Sequence, residues 1–243
     1  MKANANGENS ATQKTADSMI EKNKKLVSGI VIALLVVVGG FFAYTHLYKA
    51  PREEKAQAAI FQGQTYFGIG AFNEALNGDN RGYTGFLRVM KDFSGTPTAN
   101  LATGYAGICY AQLGNYKEAL NYLNDFKAND ALIAPAVTAA MGDCYVELDQ
   151  LDKAVKAYLD AVKAADRKIT TGSKVNNSIS PLFLMKAALV YEKQQKNAEA
   201  LKVYQRIKDD YVNSYQVQSG EVEKYIERAT AMVAAAPPSM KSN

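Results

Sequence analysis

Two regimes of hydrophobicity divide this chain. From Leu26 to Tyr48 run 23 residues, LVSGIVIALLVVVGGFFAYTHLY, without a formal charge. From Lys49 to Ala235 apolar side chains instead recur every three or four residues between Lys, Glu, Asp and Gln, the spacing of amphipathic helices. Residues 1–25 and 236–243 hold too few apolar side chains to offset the entropy of ordering, and both are expected to be disordered tails. The pattern predicts an all-α chain: a transmembrane helix over 26–48, then one helical domain over 49–235.

The uncharged run, as a helix rising 1.5 Å per residue, is roughly 34 Å long, enough to cross a bilayer core of about 30 Å. A cleaved signal has a shorter apolar region, about 7–15 residues, followed by small residues. Here bulky Phe41, Phe42, Tyr44, His46, Leu47 and Tyr48 follow, so an uncleaved single-pass anchor is expected. Lys14, Lys22, Lys24 and Lys25 precede it, whereas Lys49, Arg52 and Lys55 follow. That excess points to a cytoplasmic N-terminus and a domain on the far side of the membrane.

Four segments of the domain align: AAIFQGQTYFGIGAFNEAL, NLATGYAGICYAQLGNYKEAL, AVTAAMGDCYVELDQLDKAV and PLFLMKAALVYEKQQKNAEAL. In each, a small residue (Gly63, Gly107, Gly142, Ala188) precedes a tyrosine (Tyr66, Tyr110, Tyr145, Tyr191) by three positions. Nine residues beyond each tyrosine stands an alanine: Ala75, Ala119, Ala154 and Ala200. This register resembles the tetratricopeptide repeat, a helix–turn–helix unit of about 34 residues. The resemblance implies an α-solenoid of about four helix pairs whose first helices line a concave face. Small residues would let paired helices approach closely, and Gly70 and Gly114 would turn the chain at φ > 0. Asn77–Gly82 interrupts the second helix of the first unit, and Asp166–Ser180 forms a long loop between the third and fourth. A helix over Ser214–Ala235 would cap the last repeat.

Chemistry-bearing groups are sparse. His46, the only histidine, lies at the membrane edge, so no histidine-based triad or metal site can be assembled. No phosphate-cradling glycine loop occurs. The net charge is +4 and the domain's charges are interspersed, which disfavours nucleic-acid binding. The expectation is a non-enzyme without cofactor or metal. Cys109 and Cys144 occupy equivalent sites in adjacent units, where helix spacing of about 8–10 Å exceeds the reach of a disulfide. Both are expected as free, buried thiols.

Family geometry places Ile60, Gln64, Phe67, Ile108, Ala111, Asp143, Val146, Met185 and Leu189 near the inner face. Their mostly apolar character suits a hydrophobic or amphipathic peptide, unless another helix of the chain or a second copy fills the groove. The positions where some tetratricopeptide proteins clamp a terminal carboxylate hold Gln64, Gly68, Tyr105, Ala136 and Ala140, so that clamp is not expected.

The short basic tail, the single anchor, the KAPREEKAQAA segment and SGTPTANLATGYAGICYAQLGNYKEAL together resemble bacterial envelope tetratricopeptide proteins, among them the ancillary subunit of the Sec translocon. The resemblance implies an inner-membrane location with periplasmic repeats. It also implies protein or peptide partners and chaperone-like contact with the protein translocation machinery. The alternative is an adaptor subunit of a membrane complex for division, secretion or stress signalling, with one fixed folded partner.

Overall fold

The computed structural model describes residues 24–127, 133–167 and 175–235. Apart from Lys24 and Lys25, the two expected tails lie outside these residues, as do residues 168–174 of the expected long loop. Among the described residues there is no strand. The chain divides into two compact units, Met1–Lys55 and Ala56–Asn243.

The first unit contains α1 (Lys24–Ala43), a π-helical turn (Tyr44–Lys49) and the start of α2 (Ala50–Gly68). Its apolar side chains are exposed. Leu34, Leu35, Val36 and Val37 are each at least 60% exposed. The apolar window has a mean hydropathy of 2.7 with none of it buried, and the helix is long and apolar enough to cross a membrane.

The second unit follows the repeat register through α3 (Phe72–Asn77), α4 (Phe86–Asp92), α5 (Pro97–Gln112), α6 (Tyr116–Asp125), α7 (Ile133–Glu147), α8 (Leu151–Arg167), α9 (Ser180–Lys193) and α10 (Asn197–Asp210). α5, α7 and α9 each pair with the helix that follows, and each second helix also packs on the next unit. The four repeat alanines, Ala75, Ala119, Ala154 and Ala200, are all fully buried.

Close helix approach explains the small residues. A Cβ on Gly107 would lie 2.7 Å from the Leu123 side chain, and one on Gly142 would lie 2.6 Å from the Tyr158 ring. Ala188 and Tyr204 share the corresponding core of the fourth unit. The first unit achieves the same contact by another route. Its second helix breaks after Asn77, and the space over Gly63 is filled by Tyr83 and Phe86 from beyond the break. Tyr83 donates its phenol hydrogen to the Ala75 carbonyl at 3.0 Å. Asp79 holds the insertion in shape, accepting hydrogen bonds from the Arg81 and Tyr83 amides and from the Tyr66 hydroxyl. The Tyr66 bond is the main reason the Asp79 carboxyl is held below the usual carboxylate range.

The turn between paired helices is the same in every unit. Gly70, Gly114, Asp149 and Gln195 each stand four residues past the repeat tyrosine, and all have positive φ, at 77°, 79°, 55° and 62°. In each, the following amide donates back to the tyrosine carbonyl (Ala71 to Tyr66, Asn115 to Tyr110, Gln150 to Tyr145, Lys196 to Tyr191). These are Schellman turns, which satisfy the last carbonyls of the first helix. Glycine adopts this geometry without steric cost; the third and fourth units form it with Asp and Gln.

Helix starts and the long loop are tied locally. Thr96 caps α5 by accepting from the Ala99 amide at 3.1 Å, with Pro97 at the first helical position. Asp166, near the end of α8, accepts hydrogen bonds from the Asn176 amide, the Ser180 hydroxyl and the Tyr211 hydroxyl. It thereby joins the third unit, the loop and the end of α10.

The expected single capping helix is two: α11 (Tyr215–Gln218) and α12 (Glu221–Ala235). Gly220, at φ 70°, makes the break, and Val222 and Ala229 of α12 are fully buried with the last repeat's core. Cutting the cap free would expose that core, as solenoid ends do without a polar-faced terminal helix.

Two substitutions test the packing and the turns separately by urea unfolding. Gly142→Val should destabilise the domain by about 1–3 kcal/mol, because its Cβ would overlap the ring of Tyr158, which is itself buried and hydrogen-bonded to Asp143. Gln195→Gly should stabilise it by about 1 kcal/mol, since only the φ penalty is relieved. A neutral Gly142→Val would contradict the close crossing.

Candidate protein-binding face

The first helices α2, α5, α7 and α9 each bury one side against their partners and leave another uncovered. The nine residues expected on the uncovered side separate into two groups. Gln64, Phe67, Ile108, Ala111, Asp143 and Val146 are half-buried and Leu189 is 42% exposed. Ile60 and Met185, at 3% and 7% exposure, are core side chains instead, and this corrects the expectation for those two. Each lies three residues before its unit's small crossing residue, Gly63 or Ala188. Positions three apart share a helix face, so both point at the paired helix.

Phe67 is held edge-on against Tyr105 and Phe72, with ring centroids 4.9 and 5.6 Å apart. Ile108 and Ala111 pack on the cluster of Ala119, Leu123 and Cys144, so only part of each reaches the surface. Leu182, at 46% exposure, belongs to the same surface and was missed. It lies seven residues before Leu189, two helical turns along one stripe, and that spacing was the available signal.

Towards the C-terminal end the face becomes polar, but its charges are paired. Asp143 accepts from the Tyr158 hydroxyl at 2.6 Å and from the Lys186 ammonium of the next unit at 2.7 and 2.8 Å. Glu192 repeats the arrangement, accepting from Tyr204 at 3.2 Å and from Arg228 of α12 at 2.5 Å. Burial, assisted by the carboxylate, raises both phenols well above their ordinary range. The hydrogen bond to Glu192 raises Arg228 further. Asp149–Lys193 and Asp152–Lys196, at 3.7 and 3.2 Å, add two more pairs between the third and fourth units. All these partners are substantially exposed except Glu192, so each isolated pair contributes little to stability. Their main effect is to fix the register of one unit on the next.

This arrangement presents area and shape. Among the described residues no group of three His, Cys, Asp or Glu is placed to hold a metal. Asp79 has its oxygens engaged by Tyr66 and two backbone amides.

Both cysteines are free and buried. Burial pushes the Cys109 thiol up to about 12 and Cys144 up to about 11. Both should therefore resist a thiol reagent at pH 8 in the native protein and react together once urea unfolds it. Their folded pKa values lie above the unfolded value of about 8.5. Their stabilising contribution is thus complete below pH 8.5 and falls as pH rises from there towards 12. Rapid labelling of either thiol without denaturant would refute the burial.

Residues 105–131 and 183–214 match one tetratricopeptide repeat model, and residues 139–167 match a second. These segments are tetratricopeptide repeats. They cover the second, fourth and third units, and the fourth matches although Ala188 and Gln195 stand where earlier units have glycine. No curated protein matches the chain. Among solved structures, it is similar to a protein of Podosopora anserina named for kinesin light chain and built of nearly identical tetratricopeptide-like repeats. A variant of that protein aligns with a TM-score of 0.50 and 14% identity, over 75% of this chain and 96% of that one. Another structure of it gives 0.49, with the same identity and coverage. The first alignment supports the repeat solenoid as a fold. Repeats of this kind are those of a protein-binding scaffold.

Proposed function

We propose that this chain is a membrane-anchored scaffold that binds other polypeptides in the bacterial envelope along the face of its first helices. The observation that carries the reading is the uncovered apolar stripe of that face. Leu182 and Leu189 stay exposed although α12 lies nearby, because α12 packs on α10 instead. Ile108, Val146 and Phe67 continue the stripe towards the N-terminal units. Exposed leucines beside half-buried apolar side chains suit amphipathic or unfolded segments of a partner.

The exposed apolar helix α1 supports the tether. Holding the repeats at a membrane raises their effective concentration for partners there, and newly exported chains emerging beside an export channel are one such class. The chain's resemblance to envelope tetratricopeptide proteins supports a periplasmic domain and chaperone-like work of this kind. An adaptor with one folded partner is the second reading, favoured by the interlocked ion pairs that stiffen the C-terminal units.

Photocrosslinking in cells tests this directly. A photoreactive residue replacing Ile108 or Leu189 should capture protein, whereas one replacing Lys117, exposed on α6, should capture little. Many clients of different size would fit the chaperone-like reading; one stoichiometric adduct would fit the adaptor. Equal yields from all three sites would refute binding at this face.

A further inference from the structure

We infer that the N-terminal half of the first-helix face, built from α2 and α5, takes an extended, uncharged polypeptide segment and holds it by main-chain hydrogen bonds as well as by side-chain contact. This rests on the reading of that face as a protein-binding surface and narrows its partner. From Ala56 to Gly68 of α2, and through the whole of α5, no side chain is charged. α7 and α9, by contrast, carry Asp143, Glu147, Lys186, Glu192 and Lys193. A charged segment lying along α2 and α5 would lose water without meeting an opposite charge on those helices.

Two polar groups on this uncharged surface are unpartnered. Gln64 is half-buried on α2, one helical turn before Phe67, and the Phe67 ring meets Tyr105 of α5 edge-on. Tyr105 is half-buried too, its ring stacked on Phe86 with centroids 5.1 Å apart and an interplanar angle of 13°. Among the described residues neither the Gln64 amide nor the Tyr105 hydroxyl has a hydrogen-bond partner, and neither is sealed from solvent. Tyr66, Tyr158 and Tyr204, by contrast, spend their hydroxyls on carboxylates. A helical partner has little use for the two groups, because its main-chain N–H and C=O groups are bonded to each other. An extended segment presents a free N–H and C=O at each non-proline residue, and covering them costs free energy unless partners are supplied. Gln64 offers a donor and an acceptor, and Tyr105 a hydroxyl that serves as either. Phe67, Ile108 and Ala111 add apolar contact beside them.

Short fluorescein-labelled peptides, titrated with the full chain held in lipid nanodiscs, test this by fluorescence polarisation. One is an uncharged sequence of Ile, Thr, Ser and Pro, which stays extended; a second is an uncharged helix locked by a hydrocarbon staple; a third repeats the first with Glu in place of Thr. The extended uncharged peptide should bind more tightly than either of the others. Tyr105→Phe, which keeps the stacked ring, and Gln64→Leu should each weaken it by about 3–10-fold and leave the stapled helix unaffected. Lys117→Gln, on α6, should change neither. A stapled or Glu-bearing peptide that binds as tightly as the extended one, no binding of the extended one, or an affinity indifferent to Tyr105→Phe combined with Gln64→Leu, overturns the inference. Ile108→Asp and Ala111→Glu, each checked for unchanged helical circular dichroism, separate it from the broader reading. Peptide binding that survives both lies away from this face and overturns both readings; binding lost to them but indifferent to Tyr105→Phe with Gln64→Leu overturns only the main-chain contact.

Discussion

Everything in the repeat domain depends on how closely two helices approach where a glycine or alanine on the first meets a bulky side chain on the second. Gly107 against Leu123, Gly142 against Tyr158 and Ala188 beside Tyr204 are three versions of this contact. A side chain of ordinary size at the small position would push the helices apart. The fully buried alanines of the second helices would then lose their contacts, and the next unit would lose the surface on which it stacks. Stability in such an array is roughly a sum over units and their interfaces, so one poor crossing weakens its neighbours as well. The first unit shows how strongly the contact is kept: its second helix is broken, yet Tyr83 folds back to fill the space over Gly63.

Polar groups reinforce the stacking and do not compete with it. Tyr158 and Tyr204 contribute their rings to the crossings and their hydroxyls to acids on the first helices. Those acids in turn meet cations from the following unit or the cap. One side chain therefore takes part both in packing within a hairpin and in register between hairpins. Because Asp143 and Glu192 are already paired, a partner arriving at this face meets largely neutral polar groups and exposed leucines. Selectivity at such a surface comes from shape and apolar contact more than from net charge.

Much of this was legible from spacing alone. The repeat register placed Gly107, Gly142, Tyr110 and all four alanines correctly, because fixed offsets on a helix translate directly into faces. The free, buried state of Cys109 and Cys144 followed from the same register. What failed had physical causes of its own. Ile60 and Met185 were assigned to the open face by family geometry, although their three-residue offset from the crossing residue directs them inward. The cap was expected as one helix, but Gly220 adopts positive φ and divides it. The role of Tyr83 was not readable, since it depends on how an irregular insertion folds back.

We propose that the first helices present an uncovered surface on the far side of a membrane from the N-terminus. Leu189 and Ala187 are neighbours on α9, one 42% exposed and the other fully buried. Each replaced singly by cysteine in the full chain, and treated in intact bacteria with a maleimide that does not cross the inner membrane, gives the most direct measurement. Fast labelling of the Leu189→Cys chain is expected, with slow labelling of the Ala187→Cys chain and none of the native thiols. Equal rates for the two, or labelling of Leu189→Cys only after the cells are broken open, would contradict it.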